Sequence, residues 1–363
     1  MVFSHNARNN EVSNLDDKVN FYKSDRNSIM DFAKLLKYIS EKAGINEDNQ
    51  WDLVVDFCAY IRKHVKSVIR GLSKLVRLYI LISTDSVYEV CAKEFRDGPI
   101  KESDALRPEH DEEIAKLSKD DPYGHDKLRC EEYLRTHVLK NRELPYMIFR
   151  LPDVIGPYDS SNRYWNYLMW IQNMNKWPIH AQDLSDTRKL SFVFSEDVAG
   201  FIHHLLPQIS GSEGLKFVDR VHGQSFNLAF SETVTLNELL TMMVGKILIK
   251  AKQLKAGDVN LIHNDKLPKL GIYLYPSAEC GTLSTEKARS AIGWQSTPID
   301  QAIQITNDFY TQAGPIFRKE HDFATRQLLA MSNEYYPVAV PTTIDAEKQI
   351  SDVVSNDGKA MAL

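Results

Sequence analysis

The chain has 363 residues, 43% of them hydrophobic and 26% charged, with a formal net charge of −5 at pH 7. That length buries a sizeable core and suits one large or two interleaved domains, and the ordinary composition excludes a fibrous or disordered chain. No apolar run approaches the ~18 residues of a membrane span, and the acidic balance without a long basic stripe gives no reason to expect nucleic acid. The opening MVFSHNARNN lacks the basic start, apolar middle and small-residue cleavage site of a secretory signal, which points to the cytosol. Cys58, Cys91, Cys130 and Cys280 lie far apart, with no CxxC and no histidine at zinc spacing. Buried reduced thiols are expected, and no metal site.

In chain order, a helical segment carrying YISEK, with Tyr38 and Lys42 on one face, precedes the strand-like VVDF at 54–57. AYIRKHVKSVIRGLSKLV (59–76) places Ile61, Val65, Ile69, Leu72 and Val76 on one helical stripe, and LYILIS (78–83) is the next strand. Alternation of short apolar runs with helices predicts a parallel sheet. Residues 84–120, rich in Pro, Asp, Glu and Lys, read as a long loop of the kind that carries function at strand ends. A helix follows, with Pro122 in its first turn and Asp120 and Asp121 at the positive end of its dipole, running to about Leu139. Then come the strand LPYMIFRL (144–151), SFVF (191–194), a helix opening at SEDVAGFIHHLL (195–206), and the strand GQSFNLAF (223–230). His203 and His204 in that helix read as surface and core rather than ligands. Thr235 and Glu238 form a capping box, residues 283–294 a short helix stopped at Gly293, and 298–310 a helix with Pro at its start. From about Ala330 the pattern decays into a mobile tail.

Two places pair a tyrosine with a lysine four residues on: Tyr38 and Lys42, and Tyr123 and Lys127 in YGHDK. An ammonium beside a phenol favours the phenolate and lowers its pKa, making proton transfer feasible near neutral pH. The spacing alone also describes a solvated helix face. Context separates the two, because YGHDK follows the hydroxyl-rich strand end ISTDSVY (82–88), where Ser83, Thr84 and Ser86 would project into the ligand crevice of a parallel sheet. The same residues also suit a turn that bonds its own backbone.

ISTDSVY, YGHDK, RLPDVIGP (150–157), FSEDVAGF (194–201) and IGW (292–294) arrive in the order and spacing of the extended short-chain dehydrogenase/reductases, the NAD-dependent epimerase/dehydratase group. The resemblance covers roughly residues 1–312. It implies an α/β fold, a Rossmann-like doubly wound parallel sheet, over residues 1–156 with 189–230 returning to it. A smaller mixed substrate-binding region would span 157–188 and 231–325, and 330–363 would be the tail. It implies Tyr123 as catalytic base, Lys127 as the residue that lowers its pKa and holds the nicotinamide ribose, and Thr84 as hydroxyl partner. ISTDSVY is similar to the ISTDEVYG of sugar-nucleotide dehydratases; Asp85 matches their acid, while Ser86 stands where they carry the glutamate that takes the dehydration proton. Oxidation, reduction or epimerisation of a hydroxyl-bearing small molecule, such as a nucleotide sugar, is therefore implied ahead of full dehydration.

The same resemblance places Asp25 near the cofactor adenine, a position that also suits a helix N-cap. It puts Phe57, Cys58 and Ala59 of DFCAY under the cofactor, Cys58 as a small packing residue, and Pro152 and Ile155 beside it. Asp153, which replaces an asparagine common in relatives that bind nucleotide sugars, joins Ser86, Arg163 and Arg188 as candidate substrate contacts; the arginines suit a phosphate or carboxylate. A homodimer through the helix carrying YGHDK is the implied assembly. The family begins with a strand and a glycine-rich turn for the cofactor pyrophosphate. MVFSHNARNN resembles instead the second strand, so the expectation is a chain that starts about one strand-turn-helix (~30 residues) late, or one whose second and fourth strands close the gap. With no acid after that strand, and with Ser4, Asn6 and Arg8 there, the cofactor would be NAD or NADP, with a lean to NADP. The alternative function is a non-catalytic nucleotide sensor or RNA-associated module on the same scaffold.

Overall fold

The computed structural model describes residues 2–3, 20–92, 98–137, 144–159, 161–172, 179–181, 188–251, 261–263, 275, 281–313 and 326. In chain order the elements are β1 (Val2–Phe3), β2 (Phe21–Tyr22), α1 (Ile29–Lys42), β3 (Trp51–Asp56), α2 (Arg62–Leu72), β4 (Val76–Thr84), α3 (Asp111–Asp120), α4 (Pro122–His137) and β5 (Tyr146–Leu151). They continue as β6 (Asp153–Ile155), α5 (Arg163–Gln172), β7 (Ile179–Ala181), β8 (Phe192–Phe194), α6 (Ser195–Ser210), α7 (Gly214–Val221) and β9 (Gln224–Asn227). The last are α8 (Leu236–Ala251), β10 (Leu261–His263), α9 (Glu286–Ile292) and α10 (Ile299–Ala313).

Four strands form one parallel sheet in the order β3-β4-β5-β9. Its central strands are apolar on both faces, as burial on both sides demands. Leu78, Ile80 and Ile82 of β4, with Met147, Phe149 and Leu151 of β5, pack under Phe201 and Leu205 of α6, Val218 and Val221 of α7 and Trp294. The intervening Tyr79, Leu81, Tyr146 and Ile148 meet Phe32 and Leu36 of α1, Val65, Val68 and Leu72 of α2, and Leu134 of α4. The sheet is thus wound on both faces, and each large apolar side chain fully buried there contributes about 1.5–3 kcal/mol. A further core joins Tyr164, Tyr167 and Trp170 of α5 to Leu239, Leu240 and Met243 of α8 and to Ile299 and Ile303 of α10.

β1 pairs in parallel with β2 alone, and among the described residues neither pairs with β3. Among the described residues, then, the second and fourth strands of the expected order are not paired with each other. The segment after β2 is tied to the sheet by side chains. Arg26 grips the Asp56 carboxylate at the end of β3 in an ion pair, and the Tyr79 hydroxyl donates to Asp56 Oδ2 at 2.7 Å. Burial opposes ionisation of Asp56, and Arg26 overcomes it, holding the carboxyl below its usual range. On the outside α1 crosses α2 at close range, where a Cβ on Gly71 would stand 2.8 Å from Leu36 Cβ.

Several local expectations hold in detail. The capping box is closed by Thr235 N to Glu238 Oε2 at 2.7 Å and Glu238 N to Thr235 Oγ1 at 3.1 Å, and α9 stops on Gly293 at φ 76°. Two expectations are corrected. Residues 111–120, read as loop, form α3; none of its residues is buried, so no apolar stripe announces it, and three acids in its first turn favour the helix dipole instead. The helix predicted over 59–76 ends at Leu72, and Val76 opens β4. Arg8, Cys280 and the tail 330–363 lie outside the described residues.

Candidate active site

β4 ends at Thr84, and the chain turns at once into one 3-10 turn, Asp85–Tyr88, with Thr84 Oγ1 accepting Ser86 N at 3.2 Å. The first turn of α4 lies directly on this turn. Gly124 makes the approach possible, because a Cβ there would fall 2.2 Å from Ser86 O and 2.3 Å from Asp121 Oδ2. Asp121 Oδ1 in turn accepts Gly124 N at 2.9 Å, fixing the helix start. As a result Tyr123 stands at the carboxyl end of β4 with its hydroxyl near Thr84, and the Thr84 hydroxyl lies 3.3 Å from Asp85 Oδ1 and 3.2 Å from Ser86 Oγ.

Lys127, one turn further, is only 2% exposed. Its ammonium donates to Ile82 O at 2.7 Å and lies 5.3 Å from the centre of the Tyr60 ring, which is itself 6.5 Å from the Tyr123 ring. Burial lowers the Lys127 pKa, and burial pushes that of Tyr123 up to about 12, the Thr84 hydrogen bond acting the other way. This corrects the expected lowering of Tyr123: the ammonium is turned to a carbonyl and to an aromatic face, and desolvation of the phenol dominates. Asp85 is buried and held well above the carboxylate range by desolvation and then by the charge of Asp153. Around neutral pH the phenol keeps its proton, and the buried carboxyl holds its own to higher pH than an exposed aspartate does.

Behind these groups lies a buried polar network. Glu131, on the same stripe of α4 as Tyr123 and Lys127, accepts Ser83 Oγ at 2.7 Å, Arg150 Nε at 3.1 Å and Nη2 at 2.7 Å, and Arg135 Nη2 at 3.0 Å. Glu131 and Arg150 both have side chains 0% exposed. Arg150 also donates to the Tyr88 hydroxyl at 2.9 Å and to Glu102 O at 3.0 Å, and Tyr88 donates to Asn227 Oδ1 at 2.7 Å. Burial works against the Glu131 charge, but the two arginines and Ser83 outweigh it and hold the carboxyl below its usual range. Ser83 therefore points into the packing between sheet and helix, not into the crevice. Sequence reasoning missed Glu131, Arg150 and Tyr60; a signal existed in the acid four residues after Lys127.

The remaining candidates are distributed as follows. Phe57 and Cys58 are exposed just beyond β3 while Ala59 is buried. Cys58 is thus not a packing residue, because β3 ends at Asp56 and the chain leaves the sheet there. Among the described residues Cys91 and Cys130 are the buried thiols. Asp25 Oδ1 accepts Asn27 N at 2.8 Å in a turn of its own, and the cap of α1 falls at Ser28. Pro152 and Ile155 are buried, Ile155 in the core beside α5. Asp153 and Arg163 meet each other in an ion pair, with Arg163 also 5.2 Å from the centre of the Tyr275 ring. Arg188 is half-buried shortly before β8. Among the described residues no group of three or more His, Cys, Asp or Glu can hold a metal ion, and no helix is long and apolar enough to cross a membrane.

A parallel sheet wound on both faces, with a tyrosine, a hydroxyl and a buried lysine at one strand end, defines a class of α/β nucleotide-linked proteins. Residues 11–221 match the NAD dependent epimerase/dehydratase family, and the chain belongs to it. Solved structures share the Rossmann-like fold. dTDP-glucose 4,6-dehydratase from Bacillus anthracis, in complex with NAD, is 17% identical with a TM-score of 0.57 over 85% of this chain and 86% of that one. WbmH from Bordetella bronchiseptica, in complex with NAD+, is 14% identical with a TM-score of 0.57 over 86% and 90%. UDP-glucose 4-epimerase from Thermotoga maritima, with UDP-glucose, is 16% identical with a TM-score of 0.54 over 83% and 87%. Comparison with curated protein sequences returns no match.

Proposed function

We propose that this chain is an oxidoreductase of the epimerase/dehydratase type, acting on a hydroxyl-bearing small molecule of the nucleotide-sugar class, with Tyr123 as its proton-exchanging acid/base. The observation that carries the reading is the convergence of Tyr123, Thr84 and Lys127 at the carboxyl end of β4. A bound nicotinamide dinucleotide, NAD or NADP, supplies the acceptor and donor of hydride. The residues present fit its nicotinamide end: Tyr60 offers an aromatic surface 50% exposed beside the Lys127 amine, and Phe57, 56% exposed, lies just beyond the end of β3, a setting for a flat ring and a polyhydroxylated ribose. Lys127 would hold the ribose hydroxyls.

Tyr123 then exchanges one proton with the substrate oxygen. A phenol pushed up to about 12 is protonated at neutral pH, so it is set to donate to a developing alkoxide as a carbonyl is reduced. In the reverse direction the substrate hydroxyl proton passes to Tyr123 as the carbinol hydrogen leaves as hydride. That step needs the phenolate, which the Lys127 ammonium favours once it turns from Ile82 O toward the phenol. Thr84 donates to the same oxygen and shares its charge. Ser86 in place of a second carboxylate favours oxidation, reduction or epimerisation over dehydration.

The test is Tyr123→Phe, followed by the absorbance of reduced nicotinamide with UDP- and dTDP-sugars. Turnover should fall about 10²–10⁴-fold, with circular dichroism and melting temperature unchanged. Undiminished turnover in the variant would remove Tyr123 from the chemistry. Fluorescence titration of the native chain with NADH and with NADPH separates the two cofactors, and binding of neither would overturn the enzyme reading.

A further inference from the structure

A cavity of about 580 Å³ opens beside the amino end of β9, at the end of the parallel sheet opposite Thr84 and Tyr123. Its floor is the buried Ser225, on which two cations converge. Arg135 Nη2 donates to Ser225 Oγ at 3.3 Å, and Lys287 Nζ donates to Ser225 O at 2.9 Å. Lys101 adds a third positive charge at the exposed rim. Of the two carboxylates present, Glu102 is committed to Asn227 N at 2.8 Å, and Glu286 is exposed at the mouth. We propose that this cavity is a second ligand site, separate from the nicotinamide crevice, for a small phosphate-bearing anion.

Three physical arguments support that ligand class. Like charges drawn together in a half-buried place repel, and a dianion relieves them. Burial lowers the Lys287 pKa, Glu102 works against it, and Arg150 and Arg135 add smaller repulsions in the same direction as burial. An arginine fork beside a lysine point charge suits the oxygens of a phosphate, and the hydroxyls of Ser103 and Ser284 at the wall can donate to the remaining ones. The volume falls within the ~300–1,000 Å³ of small-molecule sites. Neither cation is needed by the proposed proton chemistry, although Arg135 also serves Glu131.

Calorimetric titration of the full chain with sodium phosphate, against sodium chloride at matched ionic strength, tests the site. The native chain should give one saturable site, weakened about tenfold or more in Lys287→Gln and in Lys101→Gln, the effect of losing one charge-assisted bond. Lys101 is exposed, so its variant decides the matter should Lys287→Gln fail to fold. Absence of saturable heat from the native chain would overturn the proposal. So would undiminished affinity in a folded Lys287→Gln chain, since the phosphate would then be held elsewhere.

Discussion

Helices α1 and α4 carry the same pair, a tyrosine followed four residues later by a lysine, and the two lysines have opposite surroundings. On α1, Tyr38 is 57% exposed and Lys42 is exposed, because the apolar residues Phe32, Ala33, Leu36 and Ile39 turn the other face inward. On α4, Lys127 is buried against Ile82 O, while Tyr123, 47% exposed, sits beside Thr84. The spacing is identical, so the difference lies in what anchors each helix. α1 is held by apolar packing and by Trp51 Nε1 donating to Ser40 Oγ at 3.0 Å, contacts that leave its pair in water. α4 is held by a charged residue on the same stripe as the pair, Glu131, and by a glycine that lets the helix touch a strand end. Polar anchoring of the stripe itself is what separates a site from a surface.

That contrast can be broken most severely at the anchor. Glu131→Ala leaves Arg150 charged and unpaired in the interior, and urea unfolding should show a loss of about 3–5 kcal/mol, a large share of the roughly 5–15 kcal/mol of a typical domain. Because the folded chain holds Glu131 below the usual carboxylate range, this contribution is present above about pH 4 and disappears as acid protonates the carboxylate. Next in size, Gly124→Ala sets a methyl against Ser86 O; about 1–3 kcal/mol should be lost on thermal unfolding as α4 is pushed off the 3-10 turn. Asp85 gives a smaller effect of opposite sign. The folded chain keeps its proton to higher pH than an unfolded one, so stability falls as pH rises from about 4 through the raised value. Asp85→Asn should flatten that slope in denaturant midpoints measured between about pH 4 and about pH 8. The smallest change belongs to the other helix, where Tyr38→Phe should move stability by no more than about 0.5 kcal/mol.

Much of the fold was legible because buried parallel strands leave continuous apolar runs such as LYILIS and YMIFRL, and because Thr235, Glu238 and Gly293 act through local backbone chemistry. The closeness of Tyr123 to Thr84 was legible from order alone, the hydroxyl-rich strand end preceding YGHDK. Other features depend on the fold. Arg150 lies nineteen residues beyond Glu131 and in sequence is one more surface cation; only the apposition of β5 and α4 makes it the center of a buried network. Tyr123 illustrates a different limit, since its pKa is decided by desolvation, which spacing does not encode. Cys58 was misplaced for a plainer reason, that the strand ends at Asp56, one residue sooner than expected, and the chain carries this side chain from packing to solvent. Asp153 and Arg163 were each read as reaching for a ligand, and they reach for one another.

The Glu131–Arg150 pair also bears on motion. It links α4, β4 and β5, and through Tyr88 and Asn227 reaches β9, with Ser83, Glu131, Arg150, Tyr88 and Asn227 all buried. A helix tethered in this way has no inexpensive local opening, because freeing its Lys127 turn would expose an ion pair to partial solvation before water could stabilise either charge. Opening α4 should therefore cost more than opening a helix such as α1, whose buried face is apolar.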